Sequence, residues 1–293
     1  MKRLIAFSIA LIFLLSMLAG CTRETPQVVA TTAPVCEFTR LLCQGTDITV
    51  GQLVTEEVSC LHDYTLQVSQ MRMLEAAELV VISGAGLEEF LEDVLPENGR
   101  VIDSSVGCHL HSGEHEHDEH HEHHEHHHDV DPHIWLAPEN AKIMAANICI
   151  GLSDAYPAYK EIFNRNLVDL TAQLDALQIY GEETLSELSC HELITFHDGF
   201  AYFAESFDLT ILRAIEEESG SEASAQELKE LIILVNDHHI PAVFTELNGS
   251  VSAAQVICAE TNIQSFALSM GMSGQGYFET MYYNINTIKE ALE

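Results

Sequence analysis

Basic side chains are scarce in this chain: 12 Lys and Arg stand against 46 Asp and Glu, a formal net charge of −34 over 293 residues. A surface of that sign repels polyanions and draws cations, which excludes nucleic acid as a partner. No CxxC pair occurs among the eight cysteines, so neither a zinc ribbon nor a thioredoxin-type redox site is signalled. No nucleophile elbow is present. His191, Glu192 and His197 do not form HExxH, because that motif sets its histidines four apart on a helix, and these span a strand-like run. Beyond the first residues, no stretch approaches the ~20 apolar residues of a membrane-crossing helix.

The N-terminus sets the compartment. Lys2 and Arg3 precede an apolar stretch from Leu4 to Leu18, too short and too abruptly ended for a comfortable span. It closes on Leu18-Ala19-Gly20-Cys21, which resembles a bacterial lipobox. Residues 1–20 are therefore expected to be a signal peptide, with lipid on Cys21 and the rest of the chain extracytoplasmic. Seven further cysteines remain: Cys36, Cys43, Cys60, Cys108, Cys149, Cys190 and Cys258. The compartment permits disulfides, yet an odd number leaves at least one thiol unpaired within the chain.

What the chain has in excess is histidine. Residues 109–128 read HLHSGEHEHDEHHEHHEHHH, holding eleven of the 17 histidines with six Asp and Glu between them. With almost no apolar residue, a loop over 109–130 cannot bury enough surface to fold by itself. Imidazole suits Zn, Cu, Ni and Fe, and the carboxylates concentrate cations nearby. His115, His117, His120, His121, His123, His124, His126, His127 and His128 are the candidate auxiliary ligands. Their imidazoles protonate below about pH 6.5, swinging the run from net negative toward net positive.

The remainder alternates strand-like and helix-like patterns. Val28–Thr32, Ile48–Val50, Leu79–Ile82 and Val101-Ile102 read as strands of a first lobe, with helices opening at Pro34 and over Leu87–Leu91. Pro138 opens a helix to about Leu152. A long periodic stretch follows over 153–188, capped at Ser153-Asp154, with Ile162, Phe163, Leu167, Leu170, Leu174 and Leu177 at threes and fours. The second half restarts with a strand at Glu192–Phe196, helix-like runs at His197–Phe207 and Gln226–Val235, a strand at Pro241–Thr245 and a closing helix over Tyr277–Leu292. The expected architecture is α/β: lobes over 22–152 and 189–293, joined by one long rigid linker helix. In such sheets ligands bind outside the carboxyl ends of strands.

Six histidines lie outside the run: His62, His133, His191, His197, His238 and His239. In LHDYTL, DPHIWL and TFHDGF, His62, His133 and His197 each have an acid within two positions: Asp63, Asp131 and Asp198. A metal-bound imidazole usually donates its second N–H to a carboxylate or carbonyl, so that pairing is the one ligation needs. His238 and His239, just ahead of Pro241, read as a solvated helix-to-strand loop.

Taken in order, HDYTLQVSQMRML, LVVISGAGLEEFLEDVL, DPHIWLAPENAKIMAANI after the histidine run, TFHDGFAYFAESF, SGSEASAQELKELI, IPAVFTELNGS and YFETMYYNINTIKEAL resemble the zinc- and manganese-carrying lipoproteins of bacterial ABC importers. The resemblance covers nearly all of the chain beyond the leader. It implies two α/β lobes bridged by one helix, with metal in the inter-lobe cleft. It also implies His62 and His133 as ligands from the first lobe and His197 from the second. Histidine at the third place favours Zn²⁺ over Mn²⁺, which prefers more oxygen donors. An Asp familiar in an LDPLG-like segment is replaced, since Ser269 stands at that place. Glu246, after the strand PAVFT, is the protein candidate for the fourth ligand; water and Cys60 are the others.

The function this implies is capture of Zn²⁺ and delivery to a membrane permease with its ATPase, by a lipid-anchored monomer that performs no catalysis. The histidine run would act as a low-affinity collector. The alternatives are a stand-alone extracellular metal buffer or adhesin lipoprotein, and a three-histidine zinc hydrolase.

Overall fold

A computed structural model describes residues 25–293, apart from 57, 59, 60, 62, 63, 92, 96–99, 112–129, 216–222, 248 and 273. The expected leader, Cys21, Cys60, His62 with Asp63, and His115, His117, His120, His121, His123, His124, His126, His127 and His128 lie outside the described residues.

Two four-stranded parallel sheets carry the molecule. Strands β1 (Val28–Ala30), β2 (Val50–Gln52), β3 (Leu79–Ile82) and β4 (Val101–Asp103) form the first, in the order β2-β1-β3-β4. Strands β5 (Glu192–Thr195), β6 (Thr210–Ala214), β7 (Ala242–Glu246) and β8 (Gln264–Leu268) form the second, in the order β6-β5-β7-β8. The central strands β1 and β7 are almost wholly buried, which suits parallel strands covered on both faces and explains their unbroken apolar runs.

Helices of the first lobe are α1 (Ala33–Leu42), α2 (Val68–Ala76) and α3 (Pro138–Ala155). The linker is α4 (Lys160–Leu185), and α5 (Ala201–Ser206), α6 (Ala225–His238), α7 (Ser252–Thr261) and α8 (Tyr277–Leu292) belong to the second. Pro34 sits in the first turn of α1 and Pro138 opens α3, where a missing N–H costs nothing. A reciprocal Ser224/Glu227 capping box starts α6, and His239 at φ 56 ends it in the left-handed region.

The linker differs in detail from its expected span. Ser153 and Asp154 do not cap it, because α3 runs on to Ala155 and buries Ser153. Tyr156 precedes Pro157 and is steered out of helical geometry, to φ −127 and ψ 67. A single 3₁₀ turn over Pro157–Tyr159 follows, and only then does α4 begin. Its 26 residues span about 39 Å at 1.5 Å per residue.

Phe163, Leu170, Leu174, Leu177 and Leu185 line the buried face of α4. They pack against α1 and α3 on one side and α8 on the other. One apolar core therefore runs from Val28 and Phe38 through Leu174 to Phe203, Tyr277 and Ile285. Gly181 lets α4 approach the second lobe closely, since a Cβ there would stand 2.1 Å from the ring of Phe207. Across the lobes, the Trp135 indole N–H donates to the Met270 carbonyl (2.8 Å) and the Ala33 amide to that of Met272 (2.9 Å). No helix among the described residues is long and apolar enough to cross a membrane.

Candidate metal centre

His133 caps the 3₁₀ turn Ile134–Leu136 and is fully buried. One oxygen of Asp131, two residues earlier, serves it twice. Oδ1 accepts the His133 backbone N–H at 2.9 Å and lies 2.8 Å from ring Nδ1. A carboxylate can only accept, so Nδ1 carries a proton, and in the neutral ring Nε2 is then the nitrogen with the bare lone pair.

His197 follows β5, just past its carboxyl end, and is 8% exposed. Its Nε2 lies 3.4 Å from Nε2 of His133, with the rings at 85° and their centroids 5.2 Å apart. Two residues 64 apart in sequence and on different lobes thus aim ring nitrogens at one point. Two imidazole nitrogens about 2.0–2.1 Å from one tetrahedral zinc stand roughly 3.3–3.4 Å from each other. The observed spacing matches that of two ligands on one zinc.

Gly199 completes the approach of the two rings. A Cβ there would lie 2.6 Å from Met270 Cε, 2.8 Å from His197 Cδ2 and 2.9 Å from His133 Nδ1. In the sequence this glycine carries no signal beyond its place in the TFHDGF run.

Glu246 ends β7 and is largely buried; its Oε2 lies 3.7 Å from Nδ1 of His197, the nitrogen not facing His133. Ser269 lies just past the end of the neighbouring strand β8, one residue beyond Leu268, the register partner of Glu246. Asn284, itself buried, clasps Ser269: Oδ1 accepts its amide N–H at 2.9 Å and Nδ2 donates to its carbonyl at 2.8 Å. The Ser269 hydroxyl in turn accepts the Gly271 N–H at 3.2 Å. Val58, Glu246, Ser269, Met270 and Gly271 line one small cleft. Val58 comes from the segment that carries His62, and Leu61 of that segment is fully buried.

The remaining histidines lie elsewhere. On the second lobe, half-buried His191 contacts the Asp208 carbonyl (3.1 Å) and exposed His238 sits 3.1 Å from Glu192. Cys36, Cys43, Cys108, Cys149, Cys190 and Cys258 are free thiols. Burial pushes Cys36 up to about 11 and Cys43 up to about 12, so neither offers a ready thiolate.

Comparison with known proteins gives this arrangement its family. The model of the zinc-uptake complex component A, periplasmic, matches residues 28–291. A putative metal-binding protein of Treponema pallidum (strain Nichols) is 26% identical over 291 residues, 93% of this chain and 92% of its own. The high-affinity zinc uptake system protein ZnuA of Bacillus subtilis (strain 168) is 28% identical over 279 residues, 90% of this chain and 87% of its own. A crystal structure of ZnuA superimposes with a TM-score of 0.78 at 27% identity, covering 92% of this chain and 100% of that one. With that match spanning both lobes and the linker, the chain belongs to the family of the periplasmic zinc-uptake complex component A.

Proposed function

We propose that this chain is the extracytoplasmic solute-binding component of an ABC importer, taking Zn²⁺ into the cleft between its lobes and presenting it to a membrane permease. The observation that carries this is the pair of Nε2 atoms of His133 and His197, 3.4 Å apart across the lobes. His62 is the third ligand in this reading. It is supported by the bordering position of its segment, which puts Val58 at the cleft. Three imidazoles favour Zn²⁺ over Mn²⁺.

Glu246 is the carboxylate of the proposed site. Its place beside Nδ1 of His197 suits orienting that ring, and ligation requires its oxygen to swing to the Nε2 side. The cargo is bound and released unchanged, so no covalent step is needed.

The same reading puts lipid on Cys21, holding a monomer at the outer face of the membrane. The histidines from His115 to His128 then act as a collector that raises the local metal concentration. The central test is calorimetric titration of the chain with ZnCl₂. His133→Ala and His197→Ala should each abolish the tight site, and unchanged tight binding in both would refute the assignment. For the anchor, Cys21→Ala should release the protein from membranes; retention of the variant would count against lipid at that residue.

A further inference from the structure

A second group of metal-ligating side chains lies outside the cleft. His109 and His111, just ahead of the histidine-rich segment, converge on Glu205 at the C-terminal end of α5, and their ligand atoms all fall within 4.8 Å of one another. His111 Nε2 is 2.6 Å from Glu205 Oε2, and His109 Nε2 is 3.8 Å from the same oxygen. The two imidazoles belong to the first lobe and the carboxylate to the second.

The backbone under these ligands is pinned. Asn140, 2% exposed, accepts the His109 N–H at 2.8 Å and donates to the His109 carbonyl at 2.9 Å. The Tyr202 hydroxyl accepts the His111 N–H at 2.9 Å and donates to the Asp131 carbonyl at 2.8 Å. The His111 ring stacks on Tyr202 at 4.2 Å and 29°, and the Asp131 N–H closes back on the His111 carbonyl at 3.1 Å. Tyr202 is 1% exposed, so the platform is rigid although the ligand atoms face solvent. Preorganised donors of this kind are what a metal site needs from its supporting shell.

We propose that His109, His111 and Glu205 form a second site for Zn²⁺ or a similar borderline divalent ion, straddling the two lobes at the base of the histidine-rich segment. Two imidazoles and one carboxylate make an N₂O set suited to zinc, with a fourth position left to water. The two nitrogen–oxygen distances, 2.6 and 3.8 Å, bracket the roughly 3.2–3.4 Å that ligands of one tetrahedral zinc keep. Ligation would need the exposed Glu205 carboxylate to turn until the two are alike. Asp131 ties this site to the cleft, because its backbone is held by His111 and Tyr202 while its Oδ1 holds His133. The open position and solvent exposure fit a station that passes its ion on. The site stands on its own geometry and does not depend on the assignment of the cleft.

The test is calorimetric titration with ZnCl₂ of the full chain with its nine histidines from 115 to 128 changed to Asn. Two zinc ions per chain are expected, the second binding more weakly. His111→Asn and Glu205→Gln, made separately in that background, should each remove the weaker zinc and leave the tight one. His197→Ala in the same background should remove the tight zinc and leave the weaker one, which separates failure here from failure at the cleft. Co²⁺ serves as a second probe: the visible band of the second equivalent should vanish in Glu205→Gln while far-ultraviolet dichroism is unchanged. One zinc per chain in the background protein, or a second zinc that survives both substitutions, would overturn the proposal.

Discussion

Asp131 Oδ1 holds His133 twice, accepting its backbone N–H at 2.9 Å and lying 2.8 Å from ring Nδ1. Adjacency in DPHIWL therefore becomes orientation: the carboxylate fixes which ring nitrogen is bare. Removing a partner that orients a metal ligand typically lowers affinity about 10–100-fold. Asp131→Ala should lower zinc affinity by that range while His133 remains in place. Competition against a chromogenic chelator measures it, and an unchanged constant would remove Asp131 from the site.

Gly199 makes a stricter demand. The Met270 methyl 2.6 Å from a would-be Cβ can turn aside, but the two imidazoles cannot move without spoiling their shared focus. Gly199→Ala should therefore weaken zinc binding by about 10–100-fold, as loss of ligand positioning does. Melting of the zinc-free protein should change far less than binding does. Equal losses in both would mean that the glycine serves packing alone.

Glu88 gives the fold a pH dependence away from the candidate metal centre. Its carboxyl is buried under β3, where Oε1 accepts from the Thr31 hydroxyl (2.6 Å) and the Ser83 N–H (2.7 Å) and Oε2 from the Gly84 N–H (2.9 Å). Burial outweighs these donors and lifts its pKa from 4.5 to about 7. The folded state thus holds this proton where the unfolded chain has released it. Its contribution is favourable below 4.5 and declines as pH rises to about 7, by about 3 kcal/mol in all. Glu88→Gln has no such slope. Urea unfolding of both proteins at several pH values should find the wild type's advantage shrinking from pH 5 to 7.5. A constant gap would show that Glu88 does not titrate there.

Phe163 lies fully buried in the first turn of the linker, within the core shared by the lobes. Phe163→Ala should cost about 3–5 kcal/mol, the range for deleting a buried aromatic ring. Chemical denaturation reads this directly, and a loss under about 1 kcal/mol would mean that the surroundings collapse into the cavity.

Much of this molecule is legible from its residues alone. Leu79–Ile82 and Tyr277–Leu292 appear at their expected bounds because an apolar run and a clear helical period each admit one reading. His133 and His197, paired only by the family resemblance, stand with their Nε2 atoms 3.4 Å apart, and of the two only His197 has the strand-end position that the sequence shows. Leu87–Leu91, expected as a helical stretch, shortens to a 3₁₀ turn over Glu89–Leu91 next to buried Glu88. Strands β6 and β8, each with an exposed or half-exposed face, carry too little alternation to stand out, and α2 and α7 are short and mixed. The link between His111 and Glu205 has no signature in the chain, since 94 positions and a lobe boundary separate them.

Swinging the lobes apart like a hinged shell would bring Leu174, Leu177 and their neighbours into water. Under the proposed function, release is then expected from short segments at the cleft rim, which the Ser269–Gly271 turn lines, under a frame that keeps its shape. X-ray scattering profiles of the zinc-free and zinc-loaded protein should therefore superimpose, and a clear change in radius of gyration would contradict this. A receptor that reads such a molecule must sense a changed rim, because the outline stays the same.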